Sequence, residues 1–128
     1  MVARCAETGM FGVAISSSSP AVAARCSYAR AGVGAVASQN VTDPRLGPLA
    51  LDLMAEGLGA EEAVAEVRRQ GSFLDYRQVL AVDGAGGTAV HSSAPALGFG
   101  AEAPGRTGAA GGNLFAHARV PAPPLAGL

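Results

Sequence analysis

The stretch Gly32-Val33-Gly34-Ala35-Val36-Ala37-Ser38-Gln39 alternates like a β-strand, yet it carries almost nothing large on either side. Val33, Ala35 and Ala37 share one face and Gly34, Val36 and Ser38 the other, following the two-residue period of extended chain. A strand faced with glycine, alanine and serine lets its neighbour approach closely. Two sheets, or a sheet and a helix, are therefore expected to pack tightly here. A second stretch, Tyr76-Arg77-Gln78-Val79-Leu80-Ala81-Val82-Asp83, has little polar alternation and reads as a strand buried on both faces. Asp83-Gly84-Ala85-Gly86-Gly87 is a hairpin turn, and Thr88 to Ser92 is the returning strand.

Working outward, Met1 to Cys5 and Phe11 to Ser16 form an antiparallel hairpin around the turn Glu7-Thr8-Gly9, with Phe11, Val13 and Ile15 on one face. Ala21 to Arg30 is readable as a loop or as a short helix. After a turn-like Asn40 to Gly47, a helix is predicted to start near Pro48, because proline suits the first helical position, and to end at Gly57. Ala60, Ala63, Val64 and Val67 then recur at helical spacing. Glu61 and Glu62 in the first turn and Arg68 and Arg69 in the last complement that helix's dipole. Gly111-Gly112-Asn113 reads as a turn, and Pro121-Ala122-Pro123-Pro124 as loose chain. Strands, then two helices, then strands make an α+β fold with an antiparallel sheet: one domain over residues 1–118 and a proline-rich tail over 119–128.

Composition narrows the function. With 49% hydrophobic residues, the 128-residue chain has enough apolar matter for a core. Aromatics are only 5% and there is no tryptophan, so that core is built from small residues. The net charge is −1 and the nine Lys and Arg are scattered, which supports neither a nucleic acid nor an anionic membrane as partner. No apolar run reaches the roughly 18 residues of a membrane span, and no leader pattern opens the chain, so the cytoplasm is the default compartment. Cys5 and Cys26 have no metal-ligand spacing and read as free thiols. No phosphate-binding glycine pattern is present, and no cofactor or metal is expected.

The candidate chemical groups are few. His91 and His117 lie far apart with no acidic partner nearby in sequence, so they read as ordinary hydrogen-bonded or solvent-facing histidines. Ser16, after the second strand, could supply a nucleophile or belong to a polar loop. Ser38-Gln39-Asn40 end a strand, where amides either line a pocket or cap a turn. Gln78 interrupts an otherwise apolar strand and needs partners if buried. Arg77 is the strongest anion-binding group in that region, or a salt-bridge partner of Asp75.

Val2-Ala3-Arg4, Thr8-Gly9, Phe11-Gly12-Val13-Ala14-Ile15-Ser16, Ala29-Arg30-Ala31-Gly32-Val33-Gly34-Ala35-Val36-Ala37-Ser38-Gln39, Asp43-Pro44, Gly47-Pro48, Tyr76-Arg77-Gln78 and Gly112-Asn113-Leu114 together resemble the bacterial domain-of-unknown-function 1028 family. The resemblance implies an αββα sandwich of the N-terminal-nucleophile (Ntn) hydrolase type, here incomplete, and a hydrolase cleaving amide bonds of a small molecule. In that superfamily the first residue of the mature chain attacks, and its own α-amine is the base. The family's N-terminal Thr has no counterpart before Val2, so this chain is expected to lack amidase turnover, with Ser16 as a weak substitute. Ser38, Gln39, Asn40, Arg77 and Asn113 sit in the matched motifs and carry over as pocket-lining candidates. The alternatives are a non-catalytic module binding a small anion through Arg77, or a self-associating protein forming a homo-oligomer through unpaired sheet edges.

Overall fold

The computed structural model describes residues 1–93 and 99–115, so His117 and the 119–128 tail lie outside the described residues. The opening hairpin is β1 (Val2–Arg4) and β2 (Phe11–Val13). Its second strand stops at Val13, short of the expected Ser16, although Ala14 N–H still donates to the Met1 carbonyl at 2.9 Å. Phe11 and Val13 pack inward as the alternation required. The ambiguous stretch resolves into both a single helical turn, α1 (Ala23–Cys26), and a strand, β3 (Ser27–Arg30). The small-residue strand is β4 (Gly34–Asn40).

Two helices follow, α2 (Leu46–Ala55) and α3 (Ala60–Gln70). α2 begins at Leu46, two residues before the proline expected to open it, because Leu46 and Gly47 are themselves buried against the sheet. Gly57 takes a φ of +105°, the left-handed conformation that ends a helix most readily with glycine. α3 matches its predicted apolar stripe, with Ala60, Ala63, Val64 and Val67 all buried. Gly59 has no side chain with which to cap α3. Glu62 instead accepts from Gly59 N–H (3.0 Å) and Asp83 from Ala60 N–H (2.8 Å).

β5 (Arg77–Asp83) is buried along its whole length and pairs with β6 (Thr88–Ser92) across the predicted hairpin. The final pair is β7 (Phe99–Pro104) and β8 (Gly108–Phe115). Gly111-Gly112-Asn113 therefore lies within a strand and not in a turn. Gly111 sits where β8 runs between two neighbouring strands and against Gln78 of the other sheet, so it answers a packing need.

The strands form two four-stranded antiparallel sheets, ordered β2-β1-β8-β7 and β3-β4-β5-β6. They stack through Val2, Ala35, Ala37, Leu80, Val82 and Ala109, where alanine from one strand faces leucine and valine from the next. α2 and α3 cover the opposite face of the second sheet through Val36, Val79 and Ala81. Both faces of β4 and β5 are thus buried, which accounts for their apolar composition. Val33 departs from the expected alternation: it precedes β4 and packs on the helix side, away from Ala35 and Ala37. No helix among the described residues is long and apolar enough to cross a membrane.

Candidate functional site

β4 and β5 run antiparallel in a register that sets Ser38 opposite Val79, Gln39 opposite Gln78, and Asn40 opposite Arg77. The polar residues of both strands therefore meet at one end of the central pair. Side chains alternate along each strand, so these residues divide between the two faces of the sheet. Gln39 and Gln78 continue the line of Ala37 and Leu80 into the space between the sheets. Ser38, Asn40 and Arg77 continue that of Val36 and Val79 toward the helices.

Between the sheets lies an amide network. The Gln78 side chain, only 2% exposed, accepts at Oε1 from Gln39 Nε2 and, at 3.4 Å, from Asn113 Nδ2 of β8. Its Nε2 donates to Ser92 Oγ at 2.6 Å. Gln39 Nε2 also donates to the Gly111 carbonyl at 2.9 Å. Gln78 thus finds the partners that a buried amide requires, and the network bridges both sheets. A β-carbon on Gly111 would stand 3.1–3.2 Å from the Gln78 amide, so β8 can pass here only as glycine without displacing it. Ser92 and the Gly111 carbonyl were not among the sequence candidates. The loss of alternation in a Gly/Ala strand hid β8, and with it the place of Gly111, whereas Ser92 ends the predicted returning strand and meets Gln78 through the β5–β6 register.

β1 aims at the same network. Val2 pairs with Ala109 and Ala3 with Gly108, so β1 traced back toward its leading end runs along β8 toward Gly111 and Asn113. Ser16 is exposed just beyond the end of β2.

On the helix face, the buried Asp43 carboxylate is held between two guanidinium groups. Its Oδ1 accepts from Arg45 N–H (3.0 Å) and Nε (2.9 Å), and its Oδ2 from Arg45 Nη2 (2.8 Å). Arg77 Nη1 lies 2.9 Å from the same Oδ2. The Arg45 hydrogen bonds, reinforced by Arg77, hold the Asp43 carboxyl well below the usual carboxylate range. Asp43, and not Asp75, is therefore the partner of Arg77. The turn after Asn40 folds Asp43 back over the sheet, whereas Asp75 accepts from Ser93 Oγ at 3.4 Å. Ser38 Oγ donates to the Asp43 carbonyl at 3.4 Å. The Arg77–Asp43 contact is an ion pair without hydrogen-bond alignment, and Arg77 Nε and Nη1 donate to nothing. The buried Asn40 Oδ1 and Nδ2 also lack partners, and Asn40 holds a left-handed φ of +72°.

The buried His91 binds the Leu74 carbonyl through Nε2 at 3.1 Å, as a structural histidine does. Cys5 and Cys26 are free thiols, the first exposed and the second buried. Among the described residues, no cluster of three His, Cys, Asp or Glu could hold a metal ion.

The fold recurs in a known structure. The crystal structure of protein SPO2555 from Silicibacter pomeroyi, itself described by the DUF1028 family model, superposes with a TM-score of 0.85 at 27% identity. The match covers 91% of this chain and 54% of that one, so the chain spans about half the length of this relative. No curated protein matches. The model described as "Family of unknown function (DUF1028)" matches residues 1–125, nearly the whole sequence. The chain belongs to the DUF1028 family.

Proposed function

We propose that the chain is part of an amidohydrolase of the N-terminal-nucleophile type, acting on a small molecule. The observation that carries this reading is the register of β1 on β8. It directs the leading end of the strand toward the amides of Gln39, Gln78 and Asn113, of which Gln78 is buried and the other two are half-buried. A residue at the head of that strand in the mature protein would bring a hydroxyl or thiol and a free α-amine into one place. The amine takes the proton of the attacking group as the new bond to the substrate carbonyl forms. The proton then passes to the departing amine as the C–N bond breaks, and water hydrolyses the acyl intermediate.

The amide network fits the other half of that chemistry. A tetrahedral oxyanion needs fixed N–H donors in a site with little water. Asn113 Nδ2 is the least committed donor of the network, since its 3.4 Å bond to Gln78 is long. Gln39 and Gln78, locked to each other and to Ser92 and Gly111, hold the acceptor that keeps Asn113 in position.

The test is amide turnover by the intact mature protein over a panel of small N-acyl amines. Asn113→Ala should lower kcat by about 10²-fold, the scale of losing one oxyanion donor, while KM changes little. Unchanged kcat in that variant refutes the assignment of Asn113. Absence of turnover across the panel, with no covalent adduct to an acylating probe, refutes the hydrolase reading.

A further inference from the structure

We infer that Arg77 and Asn40 form a binding site for a small organic carboxylate, on the helix face of the sheet and separate from the amide network. The inference stands apart from hydrolysis, since binding is read without turnover. It begins with an imbalance of charge. Arg77 and Arg45 share the single carboxylate of Asp43, and Arg45 takes most of its acceptor capacity with three hydrogen bonds. Arg77 is 8% exposed, and Nη1 makes its one polar contact among the described residues, the ion pair with Asp43, while Nε is left without a partner. A buried guanidinium is ordinarily saturated, because each unmade bond of a desolvated donor costs stability.

Asn40 stands directly across the strand pair from Arg77 and repeats the anomaly. Neither its amide oxygen nor its amide nitrogen has a partner, and its backbone occupies a region that non-glycine residues enter only at some cost. A merely structural residue at this turn would gain from being glycine. Strain and unmet polar demand on neighbouring residues mark a place where the fold has been held for a ligand.

The missing partner has to accept hydrogen bonds and carry negative charge. A carboxylate meets both demands. One oxygen takes Arg77, whose planar fork suits it, and the other takes Asn40 Nδ2. The residues that flank the pair in sequence favour an organic anion over an inorganic one. Val41 and Tyr76 follow and precede the two residues, are joined by a 3.1 Å backbone hydrogen bond, and expose 44% and 45% of their surface. Phe73, 72% exposed, stands at the start of the same turn. Exposed apolar residues on the segments that carry a buried cation suit a carboxylate with a short aliphatic or aromatic body.

The experiment is calorimetric titration and thermal melting with butyrate, benzoate and sulfate at fixed ionic strength, on the wild type, Asn40→Gly and Arg77→Lys. The wild type should bind butyrate or benzoate and melt higher in their presence, with sulfate giving a much smaller shift. Asn40→Gly removes both the strained backbone and the unmet amide. It should melt at or above the wild type without ligand, yet bind the carboxylates at least tenfold more weakly. Arg77→Lys keeps the charge but loses the fork and should weaken binding by a similar factor. The inference is overturned if neither carboxylate binds the wild type, if sulfate binds equally well, or if both variants retain wild-type affinity. It is equally overturned if Asn40→Gly melts lower without ligand while its affinity is unchanged, since Asn40 would then be serving the fold alone.

Discussion

Replacing Asp83 by alanine removes the one carboxylate that ties the β5–β6 hairpin to the start of α3. Its Oδ2 accepts from Ala60 N–H at 2.8 Å, and its Oδ1 from Ala85 and Gly87 N–H at 2.9 and 2.8 Å. The consequences differ between these donors. Ala85 and Gly87 are exposed, so water replaces the lost bonds at small net cost. Ala60 is buried at 1% exposure, and its N–H would be left without a partner at the positive end of a helix. The Ala60 N–H bond is at once a buried hydrogen bond and the cap of α3, so its loss is counted once, at ~1–3 kcal/mol. The hairpin bonds add a smaller amount, giving roughly 3 kcal/mol in total toward the upper end of that range. For a domain of this size that lowers Tm by roughly 10 °C. Asp83→Asn retains one acceptor oxygen for the hairpin and turns its amide toward Ala60 N–H, so it should fall between the two. Differential scanning calorimetry of the three proteins at pH 7 measures this directly. A shift below about 2 °C for the alanine variant, or an asparagine variant as stable as the wild type, would show that Ala60 N–H is satisfied otherwise. Asp83 lies at the far end of β5 from Arg77, so carboxylate binding should survive in Asp83→Asn.

Other parts of the fold make equally specific demands. The Tyr28 ring lies against Gly47, where an added β-carbon would meet ring atoms at 2.0–2.5 Å. Gly47→Ala should therefore cost about 1–3 kcal/mol by overpacking, read from the urea midpoint. Gly111→Ala should cost about 1–2 kcal/mol by crowding Gln78, and markedly less in a Gln78→Ala background, a coupling that a double-mutant cycle detects. Asp43→Ala leaves the buried Arg77 without its counter-ion and should cost about 3 kcal/mol in the same assay. Arg45→Ala removes an exposed guanidinium but leaves Asp43 its Arg77 contact and the residue-45 N–H bond, and should cost clearly less than Asp43→Ala. The Asp43 carboxyl is lowered in the folded state, so its contribution is complete above the unfolded value of about 3.9 and is lost as pH falls through the lower folded one. Tm should show no loss from this group between pH 7 and pH 5 and a decline below about pH 4 that is reduced in Asp43→Asn.

Where a period or an apolar run dominated, the sequence was read correctly. α3 announced itself through Ala60, Ala63, Val64 and Val67, and β5 through the unbroken Val79 to Val82. Gln78 was legible as an anomaly because one amide in an apolar strand needs partners, and the structure supplies Gln39, Ser92 and Asn113. β8 was not legible. Its inward residues Ala109 and Gly111 are small because Val2 and Gln78 occupy the space opposite, and small residues on both faces erase the alternation by which a strand is recognised. The link between Arg77 and Asp43 was hidden for a different reason. It depends on how the turn after Asn40 folds back, which residue types alone leave open, and Asp75 was nearer in sequence. The division of the candidates between two faces followed from strand alternation once the register was known.

Whether bond cleavage is carried out at the head of the strand that contains β1 is tested most directly by covalent labelling. The intact protein is incubated with a reactive β-lactone, digested, and mapped by mass spectrometry. The account predicts a single acyl adduct on the first residue of the mature chain, and protection of that residue when the α-amine has been blocked beforehand. An adduct on Ser16, or on any other interior side chain, at comparable or greater yield would contradict it.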